Sequence, residues 1–501
     1  MKKFDVLIIG SGMGGLVCGN ILAREGYSVC VVEKNKQLGG CLQIYVRNRV
    51  IFDSGVHYIG GLEKGQNLYQ IFRWLGIMDK LRLEKMNPAF DKILIGRDSK
   101  EYPVMQGYKA FEQVMIREFP DEKEAIRKYI HTILDICDRF PLYRLKIEKG
   151  ESNKQEVMGI SAKKFIESIT KNRTLRAVLA GNNMLYAGSG DRTPLYIHAL
   201  TVNSYMESAW RCLDGGSRIA KLLAQNITGA GGMIIRNREV KILKTENGLI
   251  YGAELSDGTT IQAENFISNT TPLNTYRMID TPLIRPATIK RLESTETTVS
   301  SFILNIVFKK NRYPYLASNY YYHQQGAIWN MEQYHEDDWP LGYAIYGAPG
   351  TNKEFASGMT IFAYMRYEEV RPWAGSFNTV SHKQNRGADY EAFKARKTRQ
   401  LLDRVGERFP DIRKAILHTY SSTPLSFRDY IGNEDGNLYG AVKDCKNPVA
   451  SLISPRTKIP NLFLTGQWLN LHGVLGTAIS GMITAMTITG KDGFVEKIRN
   501  A

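Results

Sequence analysis

The sequence predicts an α/β fold with a second, α+β domain of antiparallel sheet and helices threaded through it. Three observations point there. A short apolar run, Phe4–Ile9, enters the glycine string Gly10-Ser11-Gly12-Met13-Gly14-Gly15. A helical stretch and a second apolar run, ending in the acid Glu33, follow at once. Between residues 300 and 370 the pattern changes to alternating strands. At 501 residues the chain is too long for one core, and a prior of about 150 residues per unit gives roughly three folding units.

Phe4-Asp5-Val6-Leu7-Ile8-Ile9 has the continuous apolar character of a strand buried on both faces of a parallel sheet. Leu16 to Arg24 reads as helix, Glu25-Gly26-Tyr27 as its termination, and Ser28 to Glu33 as the second strand. GxGxxG in that setting is a Rossmann-like dinucleotide signature, and each part has a physical task. Gly10 permits the tight turn, Gly12 lets the backbone approach a pyrophosphate, and Gly15 lets helix and strand pack closely. The helix N-terminus offers free N–H groups to the phosphates. Glu33 stands about twenty residues on, where a carboxylate accepts from a ribose 2′-OH.

The same signature serves FAD and NAD, so the segments that follow decide between them. Leu38-Gly39-Gly40 and then Phe52-Asp53-Ser54-Gly55-Val56-His57-Tyr58-Ile59-Gly60-Gly61 resemble the FAD-dependent amine oxidase and phytoene desaturase superfamily. The HYIG wording resembles its retinol saturase and carotenoid isomerase branch. Asp214-Gly215-Gly216-Ser217-Arg218, Gly229-Ala230-Gly231-Gly232, a strand reaching Val240 and Asp257-Gly258-Thr259 resemble the return of that superfamily's chain into its FAD domain. Ile459 to Gln467, leading to His472-Gly473-Val474-Leu475-Gly476-Thr477-Ala478-Ile479-Ser480-Gly481, resembles its closing motif.

The resemblance implies FAD as cofactor, held by Gly10, Gly12, Gly14, Gly15, Glu33 and Lys34, by Gly39 and Gly40, and by the backbone of Val240. It implies that Gly466, Gln467, Gly473, Gly476 and Thr477 serve the flavin end, where a helix N-terminus stabilises negative charge on the reduced ring. Gln467 departs from the acid common there, although its amide still accepts one bond from the ribityl chain.

The implied organisation is an FAD domain in three segments, 1–75, 206–290 and 455–501. A helical lid over 76–205 and a substrate domain with antiparallel sheet over 291–454 lie between them. Within 108–180, apolar residues recur at three- and four-residue steps, as in Ala110 to Ile116 and Ala125 to Ile130. Ser301–Phe308, Asn319–His323 and Met359–Met365 read as strands, with one face towards a cavity. The 27 Tyr and 19 Phe of the chain suit a cavity for a long unsaturated hydrocarbon, or ordinary core.

Composition narrows the partners. Hydrophobic residues make up 43% and charged residues 23%, with no low-complexity tract or heptad run, so disorder, fibre and coiled coil are excluded. Lys plus Arg number 66 against 50 for Asp plus Glu, a net charge of +16. Nine Lys or Arg against four Asp or Glu fall between Pro141 and Arg176, a stretch that reads either as a solvated helix face or as a peripheral membrane-docking surface for a lipid enzyme. No nucleic-acid motif accompanies it. Six cysteines without a CxxC pair fit a reducing, cytoplasmic setting. Residues 4–23 lack a cleavage site, and Asn461–Gly490 is broken by Gln467, Asn470, His472 and glycines, so neither reads as a signal peptide or membrane span.

No metal-ligand spacing and no nucleophile elbow are present, so the cofactor must perform the difficult step. Reduction of a C=C bond takes a hydride to one carbon and a proton to its neighbour. The candidate proton donors are His57, Tyr58 and His472; the alternative for His57 is to satisfy backbone carbonyls, and for His472 to shape its loop. Phe427 to Gly432 either lines the site or is a surface turn.

The expectation is an FAD-dependent oxidoreductase that saturates, desaturates or isomerises a double bond in a hydrophobic polyene or isoprenoid lipid. Its electron source would be a redox partner or NAD(P)H bound without a fingerprint. The alternatives are a flavin amine oxidase, whose aromatic cage and lysine cannot be picked out, and a non-catalytic isoprenoid carrier resembling Rab escort proteins.

Overall fold

In the computed structural model, which describes residues 3–147, 154–281, 283–350, 353–449 and 451–501, the run Phe4–Ile9 lies inside a seven-stranded sheet. Val29–Glu33 and Thr260–Ser268 flank it, both parallel to it. Met233–Arg236 continues the parallel order beyond Val29–Glu33, and Leu462–Leu464 pairs in parallel with Thr260–Ser268. Val240–Glu246 and Leu249–Leu255 complete the sheet in antiparallel pairing. The α/β class read from the sequence is the class observed, and three distant stretches of chain build this one sheet.

Helix Met13–Arg24 covers one face of the sheet and begins three residues earlier than the apolar pattern indicates, because Met13, Gly14 and Gly15 already turn helically after Gly12. Helix Gly473–Thr489 packs across it at backbone contact distance: a methyl group on Gly481 would stand 2.6 Å from the Gly14 carbonyl oxygen. The uncharged run near the C-terminus thus divides into a strand, a loop and a buried helix. Among the described residues no helix is long and apolar enough to cross a membrane. All six cysteines are free.

The second sheet also has seven strands, in the order Ile416–Ser422, Ser300–Phe308, Ala356–Met365, Gly342–Pro349, Asn319–His323, Ala89–Ile95 and Glu101–Met105. It departs from expectation in two ways. The sheet is mixed, since Asn319–His323 runs parallel to Ala89–Ile95. Those last two strands come from the stretch assigned to a helical lid, so 76–205 is not helical throughout. Asp91 and Lys92 interrupt the apolar pattern expected of a strand over Ala89–Ile95, although Asp91 is buried. Ser300–Phe308 is buried at every position, so the sheet is covered on both faces.

The rest of that stretch is helical: Tyr108–Glu118, Lys123–Asp138, Ala162–Ile169, Arg173–Leu179 and Leu195–Glu207. Of the basic stretch 141–176, residues 148–153 lie outside the described residues. Several of its cations are paired with acids, Arg144 with Asp138 and Glu207, and Lys163 with Asp191.

Candidate active site

Between the two sheets runs a cavity of about 560 Å³. Its lining falls into two groups. One is the glycine cradle with Glu33, Lys34 and Val240; the other is an aromatic wall containing His57, Tyr58, Tyr205, Tyr346, Phe362 and Tyr439.

The cradle is shaped by absent side chains. Gly10 has φ +91° and Gly39 φ +113°, a region that disfavours any residue with a Cβ. A methyl group on Gly12 would lie 2.7 Å from Asn269 Nδ2, and one on Gly14 2.9 Å from Gly466 Cα. Gly10, Gly12, Gly14, Gly39, Gly40, Gly466 and Gly473 all border the cavity. Gly15 and Gly476 do not. Gly15 packs on the Gly10 carbonyl oxygen, and Gly476 on Leu471, where a Cβ would come within 2.5 Å.

Glu33 is buried. Its Oε2 accepts from the Ser11 backbone N–H (2.9 Å) and from Ser11 Oγ (2.6 Å), and its Oε1 from the Asn35 N–H (2.8 Å). A carboxylate has about four acceptor positions, so capacity is left for a diol. Lys34 donates from Nζ to the Asp429 carbonyl oxygen at 3.1 Å, and burial lowers its pKa. Thr477 Oγ1 donates to the Gly473 carbonyl oxygen at 2.6 Å in the first turn of the closing helix, and Gln467 stands on the wall beside it.

Two buried polar atoms of the lining, Thr465 Oγ1 and Trp468 Nε1, have no protein partner. Cradle, carboxylate and helix N-terminus together fit a flavin dinucleotide. Asn269, Thr270 and Thr271 also line the cavity; no motif marks them, because a turn after Thr260–Ser268 brings them there.

The three proposed proton donors separate. His57 stacks on Tyr346, with ring centroids 4.2 Å apart and planes at 10°. Among the described residues no carbonyl bonds its ring. Burial, with Arg211 nearby, pushes its pKa down to about 3, so His57 carries no acidic proton near neutrality. Tyr58 Oη stands 2.9 Å from Asp91 Oδ2. His472 is the N-cap of the closing helix and does not border the main cavity. Its Nε2 is 3.1 Å from the Leu185 carbonyl oxygen, its ring packs on Tyr439, and it lines a separate cavity of about 90 Å³. Burial lowers its pKa to about 4. Phe427, Arg428, Tyr430 and Ile431 line the main cavity.

These buried groups set an acid limit on stability. His57 and His198 are held down to about 3, and His323 and His472 to about 4, burial being the first cause in each. Below about 6.5 the unfolded chain protonates these histidines and the folded chain does not. Each therefore contributes stability above that pH that is lost as pH falls towards its folded value. Asp53 and Asp91, raised by burial to about 6 and about 7, act oppositely, since the folded form holds protons that the unfolded form releases. Four groups outweigh two, each worth about 1.4 kcal/mol per pH unit. Urea midpoints should therefore fall steadily between about pH 6 and pH 4; midpoints that stay level would refute the four neutral histidines.

Residues 8–75 match the family model for an NAD(P)-binding Rossmann-like domain. Over 97% of this chain and 86% of its relative, the sequence is 26% identical to all-trans-retinol 13,14-reductase of Danio rerio. It is 24% identical to the chloroplastic prolycopene isomerase of Daucus carota, over 99% of this chain and 82% of that protein. Among solved structures, wild-type putrescine oxidase bound to putrescine superposes with a TM-score of 0.63 at 13% identity, covering 98% of this chain and 100% of that one. That last likeness is one of fold.

Proposed function

We propose that this chain is an FAD-dependent oxidoreductase similar to all-trans-retinol 13,14-reductase and prolycopene isomerase, and that it acts on a carbon–carbon double bond of a hydrophobic polyene or isoprenoid lipid. The observation that carries this reading is the single cavity in which the dinucleotide cradle opens onto an aromatic wall.

In this reading Gly10, Gly12 and Gly14 hold the pyrophosphate at the N-terminus of helix Met13–Arg24, and Glu33 takes the ribose. Lys34 and the Val240 backbone border the adenine. Gly39, Gly40, Gly466 and Gln467 pass the chain of the cofactor on to helix Gly473–Thr489, where Gly473 and Thr477 stand. The positive end of that helix favours negative charge on the ring by about 0.3–1 kcal/mol. FAD bound there supplies reversible two-electron hydride chemistry. Tyr205, Tyr346, Phe362 and Tyr439 keep water out and offer π faces to a polyene. Saturation is the direction favoured by the retinol reductase relatives, with desaturation or isomerisation as the other outcomes on the same wall. NAD(P)H or a protein redox partner is the proposed electron source, and a membrane surface met by the basic stretch around Lys163 and Lys164 the proposed route of the lipid.

Protein reconstituted with FAD should be yellow. After dithionite reduction without oxygen, all-trans-retinol in vesicles should restore the colour and gain two hydrogens by mass, faster with anionic lipid at low salt. Rearranged prolycopene of unchanged mass would assign isomerisation instead. Peroxide release with putrescine, and no reaction with either polyene, would overturn the proposal.

A further inference from the structure

Behind the aromatic wall lies a chain of polar groups that cofactor binding leaves without a task. Tyr58 Oη is 2.9 Å from Asp91 Oδ2 and 2.8 Å from Tyr321 Oη, which is 3.2 Å from Tyr346 Oη. Asn319 Nδ2 donates to Asp91 Oδ1 at 2.9 Å, and Arg211 donates to Asn319 Oδ1 at 3.1 Å. The second sheet builds this line. Asp91 and Asn319 face each other across the parallel pair, Tyr321 follows two residues on along the same face, and Tyr346 stands on the next strand. Asp91, Asn319 and Tyr321 are fully buried, whereas Tyr58 and Tyr346 border the cavity.

We propose that this chain is a proton relay, in which Asp91 stores a proton behind the wall and Tyr346 exchanges it with the double bond of the lipid, through Tyr58 and Tyr321. The inference rests on the function proposed above. Tyr346 is then the catalytic residue, and Asp91, Tyr58 and Tyr321 are positioning residues.

The direction of the chain depends on one charge. When Asp91 is protonated it donates to Tyr58, Tyr58 to Tyr321 and Tyr321 to Tyr346, leaving the Tyr346 O–H to donate into the cavity. When Asp91 is ionised every bond reverses, and Tyr346 presents a lone pair. Burial raises Asp91 to about 7, against the lowering effects of Asn319, Tyr58, Asn182 and Arg211. The other titratable groups around it are the phenols of Tyr58, Tyr205, Tyr321 and Tyr346, all pushed up by burial and so neutral. Glu84 acts through Arg211, and His57 is neutral. Asp91 is thus the group of this set whose charge changes near neutral pH.

In saturation, reduced FAD held in the cradle would supply one hydrogen as hydride and be oxidised in doing so, and Tyr346 would supply the other as a proton. Shifts along the chain restore the Tyr346 proton and leave Asp91 a carboxylate, which regains its proton through Tyr58, at the cavity wall, when water enters the cavity after the product leaves. In desaturation Tyr346 would instead take up the proton, and oxidised FAD in the cradle would accept the hydride.

Infrared difference titration of the FAD-loaded protein tests the store without any substrate. A carboxylic-acid C=O band should fade as pH rises through about 7, be missing from Asp91→Asn and persist in Tyr321→Phe. With dithionite-reduced holoenzyme and all-trans-retinol, the rate should fall above that pH. Asp91→Asn and Tyr321→Phe should each be slowed at least about a hundredfold. Asp91→Asn should also lose the pH dependence, and Asp91→Glu should regain it. No titrating band, or a Tyr321→Phe enzyme with the wild-type rate, overturns the relay. A normal band in a protein that reacts with no polyene would count against the proposed reaction and leave the buried store established.

Discussion

Gly12→Asp yields a folded, colourless protein. The new Cβ would fall 2.7 Å from Asn269 Nδ2, in the space between the turn and the strand end, and its carboxylate would point a charge at the helix N-terminus proposed to hold the pyrophosphate. Steric exclusion and like-charge repulsion act together, so FAD affinity should drop at least about a thousandfold, or ~4 kcal/mol. Gly229→Asp is the matched control, because a side chain there meets nothing within 4 Å. Absorbance after reconstitution and gel filtration decides the matter, and a yellow Gly12→Asp protein would contradict the pyrophosphate placement.

Asp429→Ala is expected to destabilise the protein by about 3–5 kcal/mol. Asp429 is fully buried in helix Pro424–Ile431 and lies between two guanidinium groups with little exposure, Arg386 at 5% and Arg428 at 15%. Its Oδ1 accepts from Arg428 Nε at 2.8 Å and its Oδ2 from the Asn378 backbone N–H at 2.7 Å. Removing the carboxylate leaves two cations in a poorly solvated place, and that uncompensated charge dominates the cost. The helix also touches the nucleotide end, since Lys34 bonds the Asp429 carbonyl oxygen and Asn35 Nδ2 the Tyr430 carbonyl oxygen at 2.8 Å. Weaker FAD binding should therefore accompany the lower urea midpoint, and Arg386→Met added to Asp429→Ala should recover part of the stability. A loss below about 1 kcal/mol would show that the cluster is hydrated.

The nucleotide half was legible because its requirements are local. A turn with positive φ at Gly10 and a helix entered at close quarters demand particular residue types at fixed spacing, and those survive in a linear reading. Glu33 was equally legible as the acid ending a buried strand. Gly476 shows the limit of such reading: its glycine is needed, yet the structure places it against Leu471 and off the cavity wall. His472 shows another, since adjacency in a motif put it with the site while the fold turns its ring towards Tyr439 and a smaller cavity.

By itself the sequence determined the α/β class, the dinucleotide turn and the acid that follows it, since each depends on neighbours within a few residues or on one strand–helix–strand unit. Only the tertiary structure decided which ionisable groups share a wall and what charge they carry. Asp91, Tyr321 and Tyr346 sit on separate strands of a mixed sheet whose pairing joins residues more than two hundred positions apart. Their protonation follows from exclusion of water, which many chain segments produce together and none produces alone.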